Sequence, residues 1–318
     1  MIGALRYFIA VLSGAMVLAG PCKAEEEKSK EKTSDMAFGT EFFLTSDSDN
    51  FQSRRVSAEF FPAFENADHY LGFRLSDYQY KQDSWQRAGK KISFLARSIE
   101  SRTGDGGALE AGLFQQGGHT LLTLDGSYRL SPTKSTAVEF LVTRDWVETQ
   151  KSLDRGIDFS FVGVAVDQGL GSHLTLVGLL GQQYFSDGNR RDHARLRLIY
   201  QPSLDLGLTL QARYRTYRST HEDVDRAYFN PKNYSESMLA IGWRHRFQGW
   251  MASLTAGLGN ETINHDLNQP TRLFDLSLQS PVRGSQVFRF GAGYSRSTTF
   301  SGPNYHYRYL RGEWVILF

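Results

Sequence analysis

Along most of this chain, hydrophobic and polar residues alternate with a period of two. The last stretch shows it clearly: Leu310, Trp314, Ile316 and Phe318 fall on one side, Tyr307, Tyr309, Arg311 and Glu313 on the other. A period of two belongs to β-strands, whose successive side chains point to opposite faces. The pattern predicts strands near Phe38–Thr45, Arg55–Phe64, His69–Tyr80, Gly89–Arg97, Gly107–Gln115 and His119–Leu130. More follow near Thr136–Trp146, Asp158–Val166, His173–Tyr184, Asp192–Tyr200, Leu206–Tyr217 and Glu236–Phe247. The last are near Met251–Gly259, Leu273–Gln279, Gln286–Ser295 and His306–Phe318. Asp158–Val166 alternates poorly. About 16 strands, each with one apolar face, predict an all-β fold: a transmembrane antiparallel up-and-down barrel.

The connections bear on the same question. With both chain ends on the periplasmic side, the odd-to-even connections must lie outside the cell. They are Asp47–Gln52, Gln82–Arg87, Gln115–Gly118, Glu148–Gly156, Ser186–Arg191, Ser219–Tyr234, Glu261–Thr271 and Thr298–Tyr305. The even-to-odd set includes Pro132–Lys134, Asp167–Ser172, Pro202–Asp205 and Gln248–Gly249. The first set reads as mostly longer, as transmembrane barrels require, whereas a soluble sandwich has no reason to alternate.

Residues 1–24 carry Arg6, then an apolar run from Tyr7 to Ala19, and end at Ala24, the pattern of a cleaved signal peptide. Its apolar core is too short for the roughly 20 residues of a spanning helix. Cys22 raises lipidation, but Pro21 stands where a small residue is expected. Beyond Ala24 no cysteine remains, which excludes an intrachain disulfide there. Residues 25–36 are expected to be a disordered charged leader, and 37–318 the barrel. Beyond the signal, no apolar run suits a membrane helix. Hydrophobic residues make up 40%, and the formal net charge of +2 argues neither for nor against a polyanionic partner.

The alternation assigns faces. Val56, Ala58 and Phe60, Leu122, Leu124 and Tyr128, Leu239, Ile241 and Trp243, and Phe288 and Phe290 are expected to meet lipid. The intervening positions point inward, because a charge at mid-depth on the lipid face costs about 2–4 kcal/mol. Inward acids then gather on early strands: Glu41, Glu59, Glu110, Asp125, Glu139 and Asp145. Inward arginines gather on late strands: Arg195, Arg197, Arg213, Arg215, Arg244, Arg246, Arg289 and Arg311. Arg74, Lys91 and Arg97 dilute the first group, Asp275 and Glu313 the second. Two readings stay open. Opposite charges on neighbouring strands brace the wall, or two walls of opposite sign form a conduit for hydrated solutes. Arg213, Arg215, Arg244 and Arg246, on two neighbouring strands, are expected to crowd together. Inward aromatics Phe43, Phe61, Tyr217, Tyr307 and Tyr309 offer flat faces for sugar rings, or belong to an interfacial belt.

The terminal run from Trp314 to Phe318 resembles the closing strand of bacterial outer-membrane barrels. In that family the terminal aromatic is read by the assembly machinery, which implies an assembly role for Trp314 and Phe318. The loop run Tyr228-Phe229-Asn230-Pro231-Lys232-Asn233-Tyr234 resembles a segment of the C-terminal barrels of cellulose and poly-N-acetylglucosamine secretion proteins. This resemblance implies a pore for exopolysaccharide export, in the outer membrane, associated with biofilm formation. In those families a long periplasmic helical scaffold precedes the barrel. Only the short leader does here, so a separate periplasmic protein would have to deliver polymer. Ser219–Tyr234 is long enough to fold inward as a constriction or stay outside as a lid.

Other classes remain as alternatives: a general or sugar-selective porin, a surface receptor or adhesin, or a hydrolase at the barrel mouth. Catalytic signals are weak. The histidines are scattered without metal-ligand spacing. His221 and Glu222, beside Asp223 and Asp225, read as a solvated acidic loop. No phosphate loop or nucleic-acid motif stands out. The expectation is therefore no enzyme, no cofactor, no metal and no nucleic-acid partner.

Overall fold

The computed structural model describes residues 35–203, 205–264, 268–281, 285–296 and 305–318. The signal peptide, Cys22, the leader up to residue 34, His265 and most of the loop 298–305 lie outside the described residues.

Sixteen strands form one closed antiparallel barrel in which each strand pairs with its sequence neighbours. They are β1 (Asp35–Asp47), β2 (Phe51–Asn66), β3 (His69–Gln82), β4 (Trp85–Ile99), β5 (Gly106–Gln116), β6 (His119–Leu130), β7 (Thr136–Trp146) and β8 (Asp158–Gly169). Then come β9 (Leu174–Phe185), β10 (Arg190–Ser203), β11 (Leu208–Ser219), β12 (Asn233–Phe247), β13 (Trp250–Ile263), β14 (Gln269–Gln279), β15 (Gln286–Arg296) and β16 (His306–Leu317). One short helix, α1 (Gln150–Arg155), interrupts the connection between β7 and β8.

β1 and β16 close the sheet, with Gly39 opposite Val315 and the register running from Ala37–Leu317 to Asp47–Tyr307. Closure leaves no edge amides for hydrocarbon to face. At the seam the Phe318 amide donates to the Met36 carbonyl at 3.0 Å, and the Phe318 ring lies 5.3 Å from that of Phe38.

Alternation sorts the two faces as expected. Val56, Phe60, Leu122, Tyr128, Ile241 and Phe288 are exposed on the outside. Leu239, Leu180 and Leu258 are 73%, 69% and 68% exposed. An apolar surface this continuous is not tolerated in water and marks the lipid-facing belt. The leader expectation is modified at its end, since β1 already begins at Asp35.

One sequence expectation changes and another finds its cause. Strands run past the apolar belt, so β1–β2, β3–β4 and β5–β6 are joined by tight turns, helped by positive φ at Asn50, Asp83, Gly117 and Gly118. The length of the outer connections therefore rests on a few of them, chiefly residues 147–157 and 220–232. β8 alternates poorly because its inward residues Phe159, Phe161 and Ala165 are themselves apolar. They are buried against Ala227 and Tyr228 of the inward-folded loop rather than against water.

Candidate functional site

The inner wall of β1–β5 carries the early acids, and each is matched. Arg74 reaches Glu59 at 2.6 Å, Glu110 at 2.8 Å and Glu41 at 3.4 Å. Arg55 holds Glu41 at 2.6 Å, and Lys91 holds Glu110 at 2.8 Å. Three carboxylates thus face three cations. Glu59 and Lys91 are buried, so a lone charge there would be costly. Of the expected acidic wall, Glu41, Glu59 and Glu110 therefore form a charge-matched, cross-linked brace. Asp125 lies opposite Glu110 and Glu139 opposite Arg129 in the strand register, while Arg129 itself binds Asp167 at 2.6 Å. Arg289 pairs with Glu313 at 2.6 Å, which removes it from the unpaired basic wall.

The wall of β10–β12 differs. Arg195 lies directly opposite Arg215, and Arg197 directly opposite Arg213. Cross-strand partners have Cβ atoms about 4.5–5.5 Å apart, where like charges repel. Arg215 is compensated by Glu236, and its Nη2 donates to the Tyr234 hydroxyl at 2.9 Å. Arg213 donates to Gln211 Oε1, from Nε at 2.9 Å and Nη2 at 2.6 Å. Among the described residues neither Arg197 nor Arg213 has a carboxylate within ion-pair distance. The Nε of Arg197 is buried with no hydrogen-bond partner there.

The expected crowding of Arg213 and Arg215 with Arg244 and Arg246 is overturned by register. Arg213 faces Met238 and Arg215 faces Glu236 on β12. Arg244 lies about 20 Å further along that strand at roughly 3.4 Å per residue. There it donates to the Met251 sulfur at 2.9 Å, at the periplasmic end. The arginine cluster instead spans β10 and β11. Arg311, on β16, lies across from Gly291, away from this cluster.

Above these walls two outer connections fold into the barrel mouth. Thr149 caps α1, accepting from the Ser152 amide at 3.2 Å, and Gly156 ends it with φ of 66°. Leu153 is fully buried among Phe51, Tyr78, Tyr80, Phe114, Leu121, Trp146, Tyr305 and Tyr307. The Gln116 side chain donates to the Leu153 carbonyl at 3.0 Å. The expected inward aromatic Tyr307 therefore belongs to the cluster that buries Leu153, and Tyr309 borders it. Phe43 lies 6.0 Å from Tyr309, under the Arg55 guanidinium, while Phe61 packs near the periplasmic end with Phe64 and Tyr70.

The loop between β11 and β12 comes in from the other side. Tyr228 stacks on Phe185 at 4.5 Å and 8°, and its hydroxyl donates to Asp187 Oδ2 at 2.8 Å. Burial pushes this phenol above its usual range, so it stays a donor. Asn230 Oδ1 accepts from Asn189 Nδ2 at 2.9 Å and Arg191 Nη2 at 3.2 Å, while its Nδ2 donates to the His221 carbonyl at 2.8 Å. The Phe229 carbonyl accepts from Arg191 at 2.8 Å. Pro231 is buried. Tyr234 stacks on Tyr217 at 4.7 Å and donates to Glu261 at 2.8 Å. Of the two geometries left open for this loop, the inward fold is the one observed.

The two connections grip each other. The Ala227 carbonyl accepts from Thr149 Oγ1 at 2.5 Å and Ser152 Oγ at 2.9 Å. Arg155 pairs with Asp225, and this hydrogen bond, helped by the charge of Lys151, holds the carboxyl below its usual range. The helix and the anchors Asp187, Asn189 and Arg191 were not singled out from the sequence. The run Thr149 to Gly156 does carry a capping pattern of Thr before and Gly after a short turn. Nothing local in sequence marks the three anchors, since their partners are some 40 residues away.

No family model matches the chain, and no curated protein matches it. Among solved structures, the barrel is similar to one described as a bacterial polysaccharide outer membrane secretin. That match has a TM-score of 0.65 and 12% identity, covering 90% of this chain and 99% of the other. Looser matches include CdiB from Acinetobacter baumannii, at a TM-score of 0.47 and 12% identity over 90% of this chain and 60% of that one. Another is OccD3 (OpdP) of Pseudomonas aeruginosa, at 0.44 and 10% over 89% and 91%. At these identities the first match shows a shared barrel fold, and the other two carry no argument.

Proposed function

We propose that this chain is an outer-membrane pore that conducts a hydroxyl-rich, anionic polymer outward, as in exopolysaccharide export. The observation that carries the reading is the ladder Arg195–Arg215 and Arg197–Arg213 on the lumen wall. Bracing alone does not account for it, since on β1–β5 the chain braces by pairing Glu41, Glu59 and Glu110 each with a cation. Arginine offers planar, multidentate donors that suit carboxylate, sulfate or vicinal hydroxyls. The likeness to a barrel named for polysaccharide secretion supports the same reading. A separate periplasmic protein would deliver the polymer, and the barrel-assembly machinery would insert the chain through Trp314 and Phe318.

The test is selectivity in planar bilayers. The R197S/R213S variant should shift the reversal potential in a salt gradient toward cations, with the barrel still folded. R244S, remote from the ladder, should shift it less. Acidic oligosaccharides should block current more than neutral ones, and the variant should lose that difference. Unchanged selectivity with a lowered unfolding temperature would assign these arginines to the wall. Equal block by neutral and acidic sugars would favour a general porin.

A further inference from the structure

The outer face of the barrel carries a pattern of its own. Toward the periplasmic ends the outward positions are mostly apolar, as in Phe60, Leu71 and Phe73, Leu208 and Leu210, and Trp314 and Ile316, with Glu65, Gln168, His245 and Gln286 among the exceptions. Toward the mouth they turn cationic: Arg54 on β2, Lys81 on β3, Lys90 on β4, Arg218 on β11, Arg272 on β14 and Arg308 on β16. All six are exposed, and among the described residues none lies within ion-pair distance of a carboxylate. No described Arg or Lys faces outward on the periplasmic half of a strand.

The outward acids on the mouth side sit beside cations. Asp77 lies opposite Lys90, Asp158 is 3.4 Å from Arg144, and Asp192 is 3.4 Å from Arg190. The sector of β14 to β16 has no described outward acid. There Arg272 lies opposite Arg296, Arg296 opposite His306, and Arg308 opposite Tyr294. Residues 297–304, which join β15 to β16, contain no Asp or Glu.

Depth decides what these cations can touch. Arg54, Arg272 and Arg308 each stand two residues mouthward of an apolar outward residue: Val56, Phe274 and Leu310. At about 3.4 Å per residue and a tilt near 40°, that is about 5 Å beyond the apolar belt. This is the level of lipid headgroups. Charges placed only to keep the rim wet would serve equally with either sign and at either end. The bias to one sign at one end points to an anionic surface there. Phe274 and Tyr294, opposite each other directly below, offer a face for acyl chains.

We infer that the β14–β16 sector, extended by Arg54, binds phosphate-bearing lipid headgroups of the leaflet on the mouth side. Guanidinium groups engage phosphate through paired N–H donors, and the apolar belt holds the chains below. The inference rests on the barrel spanning a membrane and is independent of what crosses the lumen. Its failure therefore leaves the conduit reading untouched.

The test uses the full chain in neutral detergent, with mixed micelles of phosphatidylglycerol or phosphatidylcholine, and native mass spectrometry to count retained lipid. Wild type should retain phosphatidylglycerol in clear excess. A cation near an anionic surface is worth about fivefold in binding, so R272S/R308S, which removes two, should lower retention about twenty-fivefold. R272K/R308K should keep most of it. Heat-dependent gel migration reports that each variant is folded. If the serine variant does not fold, the wild-type comparison and the lysine variant still decide. Equal retention of both lipids, or no effect of the serine substitutions, would overturn the inference. Full displacement by inorganic phosphate at matched ionic strength would also overturn it, by showing a bare anion site.

Discussion

Replacing Tyr228 by Ala should open the barrel mouth without unfolding the barrel. Tyr228 contributes a stacked contact with Phe185 at 4.5 Å, a donor to Asp187 and an acceptor for Asn189. A stacked aromatic pair is worth about 0.5–1.5 kcal/mol. A hydrogen bond to a charged group contributes about 1.5–3 kcal/mol, and a neutral one about 0.5–1.5. The middle of these ranges is about 4 kcal/mol, in line with large-to-small aromatic losses of about 3–5. At about 1.4 kcal/mol per decade, the docked loop would lose close to three decades in its equilibrium against an undocked one. The strands keep their register, because the stack involves the end of β9 and a connection rather than the ladder. Single-channel recording is the assay. Y228A should raise mean conductance or the fraction of time spent in a high-conductance level. Y228F, which keeps the stack and loses both hydroxyl contacts, should fall between the two. Unaltered conductance in Y228A, together with unaltered protease resistance of residues 220–232, would refute the view that this loop narrows the mouth.

Other outcomes follow from the same geometry. Arg74→Ser leaves Glu59 and Glu110 without their shared partner and should cost about 3–5 kcal/mol, read as a lower unfolding temperature on heat-modifiable gels. Restoring most of the loss with a second substitution, Glu59→Gln, would attribute it to uncompensated charge. Deleting Phe318 removes the seam contact with Phe38 and the terminal aromatic, so precursor should accumulate in the periplasm. Normal assembly would count against a role in the assembly signal. The link between α1 and the β11–β12 loop should weaken in acid. Asp225 has a depressed folded-state pKa, so its contribution is present above the usual carboxylate value and is lost as pH falls through the lower, folded one. D225N should abolish that step in a pH series of protease accessibility and leave the rest of the profile in place.

The sequence by itself determined the barrel, the strand count and which face meets lipid. All three depend on a local rule: side chains alternate along a strand, and a buried or lipid-facing surface admits no charge. That rule needs no partner, so Phe60, Leu122 and Trp314 could be placed outward and Glu41, Arg213 and Glu313 inward from spacing alone. Even the poor alternation of Asp158–Val166 had its cause in the chain, in the inward aromatics Phe159 and Phe161. What these pointed toward was not visible. Pairing across the lumen wall depends on the stagger of neighbouring strands. A shift of six residues in the β11–β12 register separates Arg213 beside Met238 from Arg213 beside Arg244. Only the closed barrel sets that stagger, and with it which arginines are left uncompensated. The same holds for the mouth. Thr149, Asn189 and the pair Ala227–Tyr228 are remote in sequence and meet only because the cylinder brings their connections over one opening. Local alternation therefore fixed the wall, and tertiary closure decided how its charges and loops combine.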